Sequence, residues 1–328
     1  MFSQRKQNRA FSARAYIKGT KMKIARIPIE MKNIFIQRKI FLMRRLWILS
    51  LLPLTLLGKP VSVDEMFTSQ RQLKLLGSFT YINIHNANVG VVQVQQPNGS
   101  YISVPTSQKL NQDYLSFSLQ ARYGVANRLE LFSTLNSFYQ QSRLDNNGSF
   151  STQQSGDFDS FSLGFIVDAK REGRFPALLL GGSADVVDRA YYSSTQASWQ
   201  YGKGYSLFAT SFYTIDPLVF LLQASARINL PQSLQSTRIN QADIYALSPM
   251  VYFAVNPFVS LNAGVRYQYS TRSFINGEMS GVGGSSVGYV FGVAYEMKSR
   301  LIFFANAESY NTAQYSSDSL SMMISYRI

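Results

Sequence analysis

From about residue 76 the chain alternates. In YLSFSLQARYG, Leu115, Phe117, Leu119, Ala121 and Tyr123 share one face, and Ser116, Ser118, Gln120 and Arg122 the other. RLELFSTLNSFY sets Leu129, Leu131, Leu135 and Tyr139 against Arg128, Glu130, Thr134 and Asn136. FVSLNAGVRYQY and VGYVFGVAYEM repeat the pattern with Val259 to Tyr269 and Val287 to Tyr295. A period of two is the signature of a strand whose two faces meet different environments. Twelve such segments are expected near 77–85, 114–124, 128–139, 159–168, 177–187, 205–215, 218–229, 244–255, 258–269, 286–297, 300–310 and 319–328. Pro249 falls inside the eighth and is expected at an edge or a bulge, because proline donates no ladder hydrogen bond.

The connections also alternate. GVAN, DAKREGRFP, IDP, NP and KS are short or middling, whereas 86–113, 140–158, 188–204, 230–243, 270–285 and 311–318 are longer and polar. Segments of about 9–11 residues are long enough to cross a bilayer when tilted. An even number of them, with short turns at one end and long loops at the other, predicts an all-β fold: a transmembrane antiparallel up-and-down β-barrel of about twelve strands. Tyr123, Tyr213, Tyr295 and Tyr326 fall at the turn ends of their strands, and Tyr139, Tyr205, Tyr267, Tyr269 and Tyr289 near the loop ends. Two aromatic belts at two interfaces are expected of such a barrel. A mean hydropathy of −0.06 is consistent with it, since alternation hides the lipid-facing surface in the average.

The last strand, SLSMMISYRI, carries Leu320, Met322, Ile324, Tyr326 and Ile328 on one face. It resembles the C-terminal recognition strand of bacterial outer-membrane barrels, with an aromatic third from the end, although Ile328 stands where a terminal Phe is usual. That resemblance implies the outer membrane of a Gram-negative bacterium. It also implies two partners, outer-membrane lipid and the barrel-assembly machinery, the latter reading Tyr326 and Ile328.

The formal charge of +14 suggests nucleic acid until its position is considered. Residues 1–60 hold 14 of the 32 Lys and Arg and one of the 18 acids, leaving 18 basic and 17 acidic side chains for the body. No nucleic-acid partner is expected. Arg44-Arg45 followed by LWILSLLPLTLLG has the form of a secretory signal peptide over 43–63, cleaved between Gly58 and Glu65. Residues 1–42 are a basic extension, with Met43 as the alternative start. Residues 64–76 are a lead-in or a short plug, and 77–328 are the barrel. The absence of Cys excludes disulfides and thiolate metal sites.

Charged side chains on the polar face are expected in the lumen, because Arg or Lys facing mid-bilayer costs about 2–4 kcal/mol. Arg122, Arg128, Glu130, Arg227 and Arg266 are the first candidates for lining a pore, with Asp168, Glu296, Arg300, Glu308 and Arg327 behind them. A packed network of ion pairs is the alternative reading of each. His85 is the single histidine, with no serine motif of an outer-membrane hydrolase beside it, so neither catalysis nor a histidine metal site is expected. Asp157 and Asp159 form the nearest acidic pair that a cation could use, and GVGG at 281–284 reads as loop rather than a phosphate cradle.

Two longer stretches, YGVANRLELFSTL and Gly202–Asn229 with its Asp216-Pro217 turn, resemble the outer-membrane transporter family named for the meta-cleavage pathway of phenol degradation. The resemblance covers residues 76–328 and implies a barrel that passes small, hydrophobic compounds. The function expected is a channel or transporter, without cofactor, metal or catalytic activity, passing small solutes by passive diffusion through a polar, charge-lined lumen gated by outer loops. The alternatives are a structural or surface-interaction barrel with a closed lumen and, behind it, an outer-membrane hydrolase.

Overall fold

The structure is a computed structural model, and it describes residues 66–85, 90–106, 111–146, 149–193, 196–234, 237–311 and 316–328. The expected signal peptide and basic extension lie outside these residues. Twelve long strands build the wall: β1 Leu73–His85, β2 Asn111–Ala126, β3 Leu129–Asn146, β4 Ser149–Lys170, β5 Ala177–Ser193, β6 Gly204–Ile215, β7 Leu218–Asn229, β8 Ile244–Asn256, β9 Val259–Ser270, β10 Gly284–Lys298, β11 Leu301–Asn311 and β12 Ser316–Arg327. Each pairs antiparallel with its sequence neighbours. β12 returns to β1, from Lys74↔Arg327 to His85↔Ser316, and closes the sheet. Closure satisfies the backbone of every edge, which lipid requires. The backbone N–H of Ile328 donates to the Leu73 carbonyl at 2.8 Å and seals the seam.

Side-chain direction follows the alternation. On β2, Leu119 is 55 % exposed while Gln120 on the opposite face is buried. The same outward face carries Phe79, Leu131, Leu163, Leu207, Phe253, Leu261, Phe291 and Ile324 around the circumference. A continuous apolar girdle exceeds the patches soluble monomers expose, and it is stable in lipid. Tyr123, Tyr295 and Tyr326 rim its turn end; Tyr139, Tyr205, Tyr267 and Tyr289 rim its loop end.

Three expectations change. The polar stretches 140–158 and 188–204 are not simply loops: β3 and β4 run on as a hairpin to Asn146 and Ser149, and β5 extends to Ser193 beside the short strand Gln196–Tyr201. Beyond the lipid both faces of a strand meet water, so the sequence loses its period while the ladder continues. Pro249 lies inside β8, in register with Leu222 of β7. The β8–β9 ladder omits Ser248 and Pro249 and resumes at Met250↔Gly264 without a change of register. The missing proline N–H interrupts one side of the strand and needs no bulge. Finally, Gly90–Gln95 and Tyr101–Thr106 pair as a separate hairpin rather than an outer loop.

Candidate functional site within the lumen

The hairpin Gly90–Thr106 is folded into the barrel. Alternating residues on both arms and Asn98-Gly99 between them are the local cause: Gly99 takes φ +84°, and Gly99 N–H donates to the Gln96 carbonyl at 2.9 Å. The alternation gives the hairpin two unlike faces. Ile102, with Val94 beside it, packs on Ile82, Ile84, Tyr114, Phe138 and Tyr310 of the β1–β3 and β11 wall. On the other face, the Gln93 amide donates to Asn229 at 3.0 Å and Gln241 at 2.6 Å, and the Tyr101 ring lies 5.3 Å from the Arg227 guanidinium. At the tip, Asn98 donates to Ser118 Oγ at 2.6 Å and Ser100 Oγ to Asn136 at 3.3 Å.

Behind the polar face, β4 to β7 bury a charge cluster. Arg227 binds Asp185 and donates to Ser206 Oγ at 3.2 Å. Lys203 Nζ sits 2.7 Å from Asp188, and Asp159 accepts from Ser160 Oγ at 2.9 Å. Gly204 makes this approach possible, since a Cβ there would stand 2.3 Å from an Asp185 oxygen and 2.5 Å from Arg227 Nη2.

The turn end is filled differently. Arg122 and Glu130, paired across the β2–β3 hairpin, capture the lead-in: Arg122 Nη2 donates to the Met66 carbonyl at 2.7 Å, and the Thr68 backbone N–H to Glu130 at 2.6 Å. The Met66 side chain then packs against Val219, Leu221 and Tyr252 inside the barrel.

Between the lead-in and the hairpin lies a cavity of about 290 Å³, with Met66 and the hairpin tip among its lining residues. Phe132, Ile166, Leu179, Leu221 and Phe304 give it apolar walls. Its polar members on β9 and β11 are Asn262, Arg266, Asn306 and Glu308. Arg266 Nη1 lies 2.9 and 3.0 Å from the two Glu308 oxygens. The expectation of a uniformly polar lumen therefore gives way to a mixed one, because inward positions near the turn end are filled by apolar side chains.

Of the five candidate lining residues, Arg122, Glu130, Arg227 and Arg266 point into the barrel, and Arg122, Arg227 and Arg266 each have a carboxylate partner. Arg128 does not join them. It occupies the two-residue turn between β2 and β3 and is exposed, its carbonyl accepting from the Asp168 N–H at 3.0 Å. Asp157 and Asp159 separate at a bulge, Asp157 pairing with Arg189 while Asp159 turns inward. His85 ends β1 opposite Ser316, and among the described residues no group of three His, Asp or Glu could hold a metal. Sequence reasoning missed the partners Asp185, Asp188 and Lys203 and the whole hairpin. For the hairpin the signal was present, as Asn98-Gly99 flanked by VVQVQ and YISVP.

No family model matches the sequence, and no curated protein does. Solved structures do. An outer-membrane channel from Pseudomonas putida F1 superimposes with a TM-score of 0.58 at 11 % identity, covering 80 % of this chain and 98 % of that one. The transport unit of the autotransporter AIDA-I from Escherichia coli gives 0.48 at 8 % identity over 80 % and 92 %. The translocator domain of the autotransporter NalP from Neisseria meningitidis gives 0.45 at 10 % identity over 81 % and 92 %. The likeness is one of fold, that of an outer-membrane β-barrel.

Proposed function

We propose that this protein is an outer-membrane channel of a Gram-negative bacterium. In this reading it is exported by the signal peptide, assembled through the Tyr326–Ile328 end, and passes small uncharged solutes by passive diffusion. The observation that carries the reading is the combination of a mixed apolar and polar cavity with lumenal arginines already neutralised by carboxylates. A lumen of that kind offers no net attraction to an ion and a favourable surface to a neutral molecule. The Gly90–Thr106 hairpin is the gate. Its polar face, held by exchangeable hydrogen bonds, releases first, and its apolar face remains on the wall.

The chain has no cysteine, so a paired substitution gives a clean test. Gln93→Cys/Gln241→Cys, bridged by a short bis-thiosulfonate, should abolish single-channel current in a planar bilayer, and reductant should restore it. Bridged channels that conduct like unbridged ones would sink the gate. A refolded barrel that inserts yet never conducts would favour the second reading, a closed surface-interaction barrel. That reading draws on the four-stranded sheet joining the β7–β8 and β9–β10 loops, with Met279 exposed on it.

A further inference from the structure

The cavity has a polar wall formed by β9 and β11. β9 and β11 are separated by β10, yet their inward side chains meet across it. Gly292 of β10 makes that possible, since a Cβ there would stand 2.0 Å from Asn306 Oδ1 and 2.8 Å from Asn262 Nδ2. Asn262 Nδ2 donates to Asn306 Oδ1 at 3.4 Å, and further along the same two strands Arg266 reaches diagonally across to hold Glu308. Arg266 uses only Nη1 for that carboxylate. Its Nε–H is buried and makes no protein hydrogen bond, and the Asn262 Oδ1 acceptor is in the same condition. Arg266 is among the residues lining the cavity, and a buried donor left without an acceptor costs about 1–3 kcal/mol, so this arginine has a use for an acceptor oxygen.

Resting on the channel reading above, we propose that this wall is a solute-recognition site for neutral carbonyl compounds with an apolar body. The carbonyl oxygen accepts from the free edge of Arg266, and the body lies on Leu221, Met250, Tyr252 and Phe304. Glu308 sets the charge preference. It already balances the guanidinium, so a carboxylate solute would bring an uncompensated negative charge into a site of low dielectric, and an ammonium solute would find its donors facing a donor. The site is thus selective for polarity without charge.

The test is binding to the full chain refolded in detergent micelles, read by ligand-observed saturation-transfer NMR, with three probes of one shape: cyclohexanone, cyclohexanecarboxylate and cyclohexylammonium. Cyclohexanone should bind, and both ions at least about tenfold more weakly, the worth of one hydrogen bond to a charged group. Arg266→Lys keeps the ion pair with Glu308 and removes the Nε–H; it should weaken cyclohexanone by a similar factor. Arg266→Met/Glu308→Met removes both charges together and should do the same, which covers the case in which the lysine variant does not refold. Equal binding of the carboxylate, or cyclohexanone binding unchanged in a refolded variant, would overturn the site. Since the readout needs no conductance, a silent channel that still binds cyclohexanone would count against the channel and not against the site.

Discussion

The two ends of the lumen are filled by different means. At the loop end the plug is folded backbone, a hairpin with its own ladder, seated on one side by apolar packing and on the other by amide, hydroxyl and cation–aromatic contacts. At the turn end it is a few residues of lead-in, tied by two backbone hydrogen bonds to the Arg122–Glu130 pair and by Met66 to an apolar cluster. Under the channel reading proposed above, the difference points to the loop end as the one that opens. A plug whose polar contacts exchange readily for water loses little on opening, because the net worth of each hydrogen bond is about 0.5–1.5 kcal/mol. Apolar burial has no such exchange partner.

Replacing residues 90–106 by a short Gly-Ser linker should give the largest change, a several-fold rise in single-channel conductance. Met66→Ala should raise it far less, because the wall around Met66 remains apolar and close. Equal rises would erase the distinction between the ends. Next in size is the loop-end charge cluster. Arg227→Met strands Asp185 among further buried carboxylates and should cost about 3–5 kcal/mol in urea unfolding from lipid vesicles, with Arg227→Met/Asp185→Leu recovering most of it. Recovery that fails would mean Arg227 acts mainly through Tyr101 and the hairpin. The smallest effect is expected of Arg128→Glu. Exposed in its turn, Arg128 should alter stability by no more than about 0.5 kcal/mol and leave the reversal potential in a salt gradient where it was. A shifted reversal potential would return Arg128 to the pore.

Much of the wall was legible because its cause is local. The alternation of Leu115 to Tyr123 against Ser116 to Arg122 assigns both faces of β2 without knowledge of any other strand, and the short turns order the strands by themselves. Where the local cause stops, so does legibility. Gln140 to Asn146 lost the period once the strand left the lipid, though the backbone there still pairs with β4. Pro249 gave the right warning about a ladder and the wrong remedy. Asn98-Gly99 announced a hairpin, but nothing in those residues says that the hairpin turns inward.

The amino-acid sequence by itself determined the number of strands in the wall, the outward girdle, the aromatic rims and the inward direction of Arg122, Glu130, Arg227 and Arg266. These follow from a period of two and from the cost of charge in lipid, properties of each segment alone. Only the tertiary structure decided what those inward residues meet. Arg227 finds Asp185 and Arg266 finds Glu308, in both cases 42 residues away, and Gln93 finds Gln241 at a separation of 148. Such partners are fixed by the register of strands remote in sequence and by closure of the barrel. No local pattern encodes a register summed around a ring, and so the same charged residues that read as the lining of a polar pore stand in the structure as ion pairs within a partly apolar lumen.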